Sequence, residues 1–177
     1  MAKLSVQPGA VIDGFTIGER VHSGGMATLW SVTRPDFAVP LLMKIPRVSE
    51  GEDPAAIVSF EMEQMILPRL SGPHVPACYA TGDFARQAYV VIEPIPGTTL
   101  YGRLDDLPLA YEEARVIVGK IAVALADLHR QNVIHHDIKA SSIMFRPSGE
   151  AVLIDFGLSH HNQLPDLLQE EFRVPYG

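Results

Sequence analysis

The segment Pro94-Ile95-Pro96-Gly97 divides the chain into two parts. Neither a helix nor a central strand can continue through it, because each proline lacks a backbone N–H donor and fixes its φ angle. Before this segment, residues 15–93 show mainly short strand-like runs, whereas residues 111–131 after it show one long helical pattern. The sequence therefore predicts two structurally different lobes, joined by residues 94–97, which we call the hinge.

The first lobe is expected to contain an antiparallel sheet. Strand-like runs occur at 15–21, 27–33, 39–45, 77–81 and 88–93, and the first three are separated by the turn sequences Ser23-Gly24-Gly25-Met26 and Arg34-Pro35-Asp36. Connections this short permit only antiparallel pairing. Residues 54–70 have helical spacing, which predicts one helix inserted in the sheet. We assign 1–14 to an N-terminal extension, 15–93 to the first lobe, and 98–177 to the second.

The second lobe is expected to start with an unusually apolar helix. Between 111 and 131 there are too many apolar residues for a single stripe, which predicts burial on several sides. Two short strands are predicted at 143–146 and 151–154. If the neighbours that would cover this helix are missing, it leaves an exposed apolar patch that favours partner binding or aggregation.

Composition excludes several classes of function. The net charge is −7 and the basic residues are not clustered, which argues against a nucleic-acid partner. Cys78 is the only cysteine, so no internal disulfide can form and a reducing compartment, the cytoplasm, is expected. Lys120 and Asp127 interrupt the most apolar segment, 116–128, so we expect no membrane segment in this chain.

Two motifs carry residues suited to phosphoryl transfer. The first is His135-His136-Asp137-Ile138-Lys139-Ala140-Ser141-Ser142, and the second is Asp155-Phe156-Gly157, whose aspartate lies 18 positions after Asp137. Alone, an Asp-x-Lys pair is an ordinary surface ion pair and an Asp-x-Gly is an ordinary turn. The positions of the two motifs among the predicted elements favour a functional role, because the first motif follows the long helix and the second follows a strand pair. Together they resemble the His-Arg-Asp-x-x-x-x-Asn catalytic loop and the Asp-Phe-Gly triplet of protein kinases.

This resemblance implies a fold and an activity. The fold is α+β and protein-kinase-like, with two lobes: an antiparallel five-stranded N-lobe with one inserted helix, and the first part of a mainly helical C-lobe. The activity is that of a bacterial-type serine/threonine protein kinase, because Lys139 is typical of the Ser/Thr type and Gly24-Gly25-Met26 is similar to the bacterial glycine-rich loop. The resemblance starts at Phe15 and covers about two-thirds of a kinase domain's usual extent, which predicts truncation within the activation segment.

The resemblance also implies site residues, with ATP and Mg²⁺ as cofactors and a protein Ser or Thr hydroxyl as substrate. Asp137 is the expected base, Lys139 the expected charge stabiliser, and Asp155 and Ser142 the expected metal ligands. The Glu93 carbonyl and the Ile95 amide are expected to bond the adenine edge. Glu61 competes with Glu63 as the acid that forms an ion pair with Lys44, and helical phase favours Glu63 weakly. The expected ATP-binding positions are Val21, Gly24, Gly25, Leu29, Leu42, Lys44, Glu63, Ile92, Glu93, Ile95 and Met144.

Several residues depart from the family pattern. His22 and Ala27 replace the outer glycines of the glycine-rich loop, and Leu42 stands where an alanine is usual. His136 replaces the arginine that pairs with a phosphorylated activation loop, which predicts that loop phosphorylation is not the control. Ser142 replaces an asparagine, and its shorter hydroxyl is a weaker metal ligand, which predicts reduced turnover.

Three interpretations follow from these departures: an active kinase, a pseudokinase that binds nucleotide or nothing and acts through partners, and a piece of a longer kinase gene product. A zinc site at the doublets His135-His136 and His160-His161 is a minor alternative, because neither doublet has the spacing of a zinc motif.

Overall fold

A computed structural model describes residues 6–47 and 54–171 of the chain. The first lobe is a six-stranded antiparallel sheet, in the spatial order β1-β2-β3-β4-β6-β5. Helix α1 (Pro54–Ile66) lies between β4 and β5 in the chain. The strands are β1 (Val11–Ile12), β2 (Phe15–Ser23), β3 (Ala27–Thr33), β4 (Leu41–Pro46), β5 (Cys78–Thr81) and β6 (Val90–Ile92).

The sheet has one strand more than the five predicted. Strand β1 pairs with β2 through Val11↔Thr16 and Ile12↔Phe15, within the segment that the sequence assigned to an extension. Asp13 and Gly14 form the two-residue turn, with φ of 47° and 83°. Such turns need positive φ at both central positions, for which Asp-Gly is a preferred pair. The Asp13-Gly14 turn therefore accounts for the extra strand.

Helix α1 ends four residues earlier than predicted. It stops at Ile66 and continues as a 3₁₀ turn, Leu67–Arg69. Pro68 lies in this turn, and its missing N–H cannot continue the α-helical hydrogen bonding. The tighter turn directs the chain into the loop 71–77, which leads to β5.

The second lobe matches the predicted order of a long helix followed by two short strands. Helix α2 (Tyr111–Arg130) starts with Glu112 and Glu113, which stabilise the positive end of the helix dipole. The later elements are β7 (Val133–Ile134), a 3₁₀ turn (Ala140–Ser142), β8 (Ile143–Phe145), β9 (Ala151–Leu153), β10 (His160–His161) and α3 (Leu167–Glu171). Strand β8 pairs antiparallel with β9, and β7 pairs antiparallel with β10.

Two hydrophobic clusters stabilise the two lobes. One lies on the outer face of the sheet and includes Phe15, Met43 and Val91. The other spans α1, β6, α2 and the β7–β9 region, so it is shared by both lobes. Its buried residues are Phe60, Met62, Ile66, Leu67, Leu70, Val75, Ala88, Val90, Ala124, Leu128, Val133, Ile143, Ala151, Leu153 and Phe156.

Helix α2 is covered on one side by the part of the chain that the structure describes. Ala124 and Leu128 are fully buried there. Val116, Val118 and Val123 are 47%, 63% and 57% exposed, so burial on several sides does not occur among the described residues. None of the described helices is both long enough and apolar enough to cross a membrane.

Truncating the buried side of α2 should destabilise the fold far more than truncating its exposed side. Leu128→Ala removes a side chain that is 1% exposed within the shared core, and should lower the unfolding free energy by about 2–5 kcal/mol. Val118→Ala, on the exposed side, should change it by less than about 0.5 kcal/mol. Urea unfolding of both variants checks this, and equal losses would contradict the burial described here.

Candidate active site

A buried ammonium group bound to two carboxylates lies where the two lobes meet. On β4 the side chains of Met43 and Ile45 are buried in the outer core, and Lys44 between them projects from the opposite face of the sheet. Its Nζ donates to both carboxylate oxygens of Glu63 on α1, at 2.9 and 2.7 Å. It also donates to Oδ1 of Asp155, at 2.8 Å. One lysine thus connects the sheet, the helix and the Asp-Phe-Gly triplet.

The environment keeps Lys44 protonated. Burial alone disfavours the charge, but the attraction of Glu63 and Asp155 outweighs it and raises the pKa of Lys44 above its usual range. Glu63 is 5% exposed, whereas Glu61 on the same helix is exposed. Glu63 is therefore the acid that contacts Lys44, and Glu61 remains available as a matched control.

A second ion pair lies in the loop after β7. Lys139 Nζ donates to Oδ2 of Asp137 at 2.6 Å. This hydrogen bond, and more weakly the charge of Asp155, raises the pKa of Lys139. Within the described residues no donor reaches the other oxygen of Asp137, Oδ1. The structure therefore brings the predicted base and its neighbouring cation together, with one carboxylate oxygen available to a ligand.

Ser142 is buried and directed into this loop. Its Oγ accepts a hydrogen bond from the Lys139 amide at 3.0 Å. The single hydroxyl proton is shared between the carbonyl oxygens of Asp137 and Lys139, at 2.8 and 2.9 Å. The side chain has no exposed surface. The hydroxyl that was expected to bind a metal is thus engaged in hydrogen bonds within the loop 137–142.

His135 connects the loop to the Asp-Phe-Gly triplet. Its Nε2 donates to the Ile154 carbonyl at 3.0 Å, and its Nδ1 accepts from the Asp137 amide at 3.3 Å. Its ring packs on Phe156, with centroids 5.1 Å apart. Asp155 itself has φ of 65°, a left-handed conformation that points its carboxylate towards Lys44. Burial lowers the pKa of His135 below its usual value, which favours the neutral ring at neutral pH.

The turn between β2 and β3 is closed by a backbone hydrogen bond from the Gly24 amide to the Ala27 carbonyl, at 3.0 Å. Neither Gly24 nor Gly25 has positive φ. A Cβ at Gly24 would meet only ordinary contacts, and one at Gly25 would meet nothing within 4 Å. Packing within the chain therefore does not require glycine here, which favours close approach of a ligand as its reason.

The predicted apolar lining lies on neighbouring strands. Leu29 is paired with Lys44 across β3 and β4. Leu42 lies two residues before Lys44 on β4 and is paired with Ile92 on β6. Met144 lies on β8 in the second lobe, and Val21 on β2 is 57% exposed. At the hinge, no described residue donates to the Glu93 carbonyl oxygen or accepts from the Ile95 amide.

One interaction near the site escaped the sequence analysis. The guanidinium of Arg146, directly after β8, binds both carboxylate oxygens of Glu93. Its Nε also donates to the Pro73 carbonyl at 2.8 Å. The partners are 53 and 73 residues away in the chain, so no local pattern could have indicated this contact.

The chain is similar to protein kinases in sequence. The family model described as protein kinase domain matches residues 15–172. The probable serine/threonine-protein kinase PknB of Lactococcus lactis is 30% identical over 149 residues, which are 83% of this chain and 24% of that protein. The serine/threonine-protein kinase PknJ of Mycobacterium tuberculosis is 28% identical over 155 residues, which are 85% of this chain and 26% of that protein. The chain thus spans about a quarter of the length of these relatives.

The fold is also similar to that of a solved kinase domain. The crystal structure of the Mycobacterium tuberculosis PknI kinase domain matches with a TM-score of 0.70 and 20% sequence identity. The match covers 86% of this chain and 63% of that domain. It confirms the expected two-lobe architecture with a partial second lobe.

The neutral buried His135 should make folding stability depend on pH. Its pKa is lower in the folded chain than its unfolded value of about 6.5, so below that pH the unfolded chain binds a proton that the folded chain does not. The unfolding free energy should fall as pH decreases from 7.5 to 5.5, by at most about 1.4 kcal/mol per pH unit from this group. Urea unfolding at both pH values should show that the unfolding free energy of His135→Phe falls less than that of the wild type. His129→Gln, which changes an exposed histidine of α2, should keep the wild-type fall; an unchanged fall in His135→Phe would contradict the assignment.

Proposed function

The chain belongs to the protein kinase family, and from that premise we propose that it transfers the γ-phosphoryl group of ATP to a Ser or Thr hydroxyl of a protein. The observation that carries this proposal is the contact of Lys44 with Glu63 and Asp155 across the two lobes. Its serine/threonine kinase relatives support the choice of hydroxyl. The substrate protein is a further partner that the chain itself does not identify.

We propose that the nucleotide lies between the sheet and β8. The adenine edge would bond the Glu93 carbonyl and the Ile95 amide, which have no hydrogen-bond partner among residues 6–47 and 54–171, between apolar side chains of both lobes. The phosphates would approach the backbone of Gly24 and Gly25, while Lys44 binds the α and β phosphates. Glu63 keeps the Lys44 ammonium in place, so the cation is positioned before the nucleotide arrives.

The carboxylate of Asp155 fits a magnesium ion. Its side chain is 49% exposed, and one of its oxygens has no donor among the described residues. Carboxylate oxygen is a ligand that Mg²⁺ prefers, and the ion, when bound, would neutralise charge on the phosphates. No cluster of three or more His, Cys, Asp or Glu residues suited to a metal lies within 6–47 and 54–171. We propose that Asp155 is the principal protein ligand, because one of its oxygens is available, whereas the Ser142 hydroxyl is hydrogen-bonded to backbone groups of its own loop.

We propose that Asp137 orients and deprotonates the attacking hydroxyl. The hydroxyl oxygen would bond to the γ phosphorus while its proton passes to the available Oδ1 of Asp137. The bond from that phosphorus to the β–γ bridging oxygen would break, and ADP would leave with the bonding electrons. Lys139 is 54% exposed at its side chain and can reach the transferred group from its position beside Asp137.

A pseudokinase is the second candidate function. The engaged hydroxyl of Ser142 favours it, because a second metal would lack its usual ligand in this loop. His22 and Ala27, which replace the outer glycines of the glycine-rich loop, favour it as well. In that case the chain binds nucleotide without transfer and acts through a partner.

We further propose a cytoplasmic location. The single Cys78 supports a reducing compartment. Burial raises the pKa of its thiol to about 11, so the thiol stays protonated and unreactive near neutral pH.

Transfer of labelled phosphate from [γ-³²P]ATP to protein or peptide acceptors should separate the two candidates. Asp137→Asn removes the proposed base and should lower the rate at least about 100-fold. Asp105→Asn, at an exposed aspartate of the second lobe, is the matched control and should transfer at the wild-type rate. Equal incorporation of labelled phosphate into the acceptor by wild type and Asp137→Asn would contradict the kinase proposal and favour the pseudokinase.

A further inference from the structure

Arg146 connects three segments of the chain through one guanidinium group. Nη1 and Nη2 bind the two carboxylate oxygens of Glu93, the second at 2.9 Å. Nε donates to the Pro73 carbonyl at 2.8 Å, and Nη2 also donates to the Val75 carbonyl at 3.2 Å. The planar fork of arginine suits such two-pronged binding of a carboxylate, which a lysine cannot reproduce.

The partners of Arg146 are themselves fixed. Glu93 donates its amide to the Ala77 carbonyl at 2.9 Å and accepts from the Ala77 amide at 3.2 Å through its carboxylate. The loop 71–77 is bound to β9, because Leu153 donates to the His74 carbonyl and the His74 ring bonds the Ala151 carbonyl. Glu93, the residue directly before the hinge, is therefore connected with this loop and the β8–β9 hairpin in one unit.

The pair is shielded from solvent. The side chains of Arg146 and Glu93 are 17% and 27% exposed, compared with 63% and 71% for the surface pair Arg115 and Glu112. The hydrogen bond from Arg146 lowers the pKa of the Glu93 carboxyl, so the carboxyl is ionised at neutral pH. Removing one partner of a shielded pair leaves the other charge uncompensated, which costs more than the loss of a surface pair does.

The position of Arg146 relates this pair to the nucleotide site. Met144 lies on β8, and Arg146, two residues later, continues the hairpin by donating its amide to the Glu150 carbonyl at 2.9 Å. Because side chains two residues apart along an extended segment share a face, both belong to the same side of the hairpin. Met144 is the proposed apolar contact that the second lobe makes with adenine, and the Glu93 carbonyl is the proposed hydrogen-bond acceptor for the adenine edge. The ion pair therefore spans the two walls between which the base would lie.

We propose that Arg146 is a positioning residue for nucleotide binding: through Glu93 it fixes the hinge against β8 and so sets the adenine slot. This inference rests on the proposed function, since it concerns the same nucleotide. Arg146 itself does not touch the reacting groups. Its loss should weaken adenine binding and leave the phosphate contacts of Lys44 intact.

The test measures MgATP and adenosine affinities by calorimetry in Arg146→Gln, Glu93→Gln and the double variant. Each should bind MgATP about tenfold more weakly than wild type, the scale of a charged hydrogen bond. Adenosine, which has no phosphates, should lose affinity by the same factor. The double variant should bind no more weakly than the weaker single variant, because the two side chains act as one unit. Arg115→Gln is the matched control and should bind as wild type.

Amide hydrogen exchange of residues 90–97 gives a readout that does not need nucleotide. Exchange there should be faster in Arg146→Gln and Glu93→Gln and unchanged in Arg115→Gln. Wild-type affinities and exchange in all folded variants would overturn the inference while leaving the kinase proposal in place. Failure of the wild type to bind MgATP would instead contradict the proposed function, and the exchange rates would then decide the inference alone.

Discussion

The structure depends on a buried cation held between two carboxylates. Lys44 comes from the sheet, Glu63 from α1 and Asp155 from the second lobe, so a single ammonium group fixes the relative positions of three elements. An ammonium group in this position is costly unless it is paired, since desolvation opposes the charge. Glu63 and Asp155 supply that pairing, and both lie next to residues of the shared core, Met62 on α1 and Phe156 after Asp155. Core packing and the site are therefore parts of one arrangement.

Much of this arrangement could be predicted from the sequence. The hinge prolines, the short turns between the strand-like runs and the helical pattern at 111–131 predicted the order of the elements, because local sequence rules govern turns, strands and helices. The motifs at 135–142 and 155–157 identified Asp137, Lys139 and Asp155, and the structure places the first two in contact and the third on Lys44. Helical phase alone favoured Glu63 over Glu61 only weakly, and burial in the folded chain makes the choice.

The remaining features of the fold and the site could not be predicted from local sequence patterns. Strand β1 was assigned to an extension although Asp13-Gly14 is a turn signal, because two-residue strands are too short to show a period. The partners of Arg146 lie far away in the chain, so only the fold brings them together. Ser142 illustrates a different limit: its residue type permits a metal ligand, and only the positions of the surrounding backbone groups show that its hydroxyl is engaged in the loop.

The central claim is that Glu63 positions Lys44 to receive nucleotide phosphates. Calorimetric titration with Mg²⁺ and a non-hydrolysable ATP analogue tests it most directly, in wild type, Glu63→Gln and the exposed control Glu61→Gln. We predict one binding site, an affinity at least about tenfold lower in Glu63→Gln, and an unchanged affinity in Glu61→Gln. Equal affinities in the wild type and Glu63→Gln, with both chains folded, would contradict it.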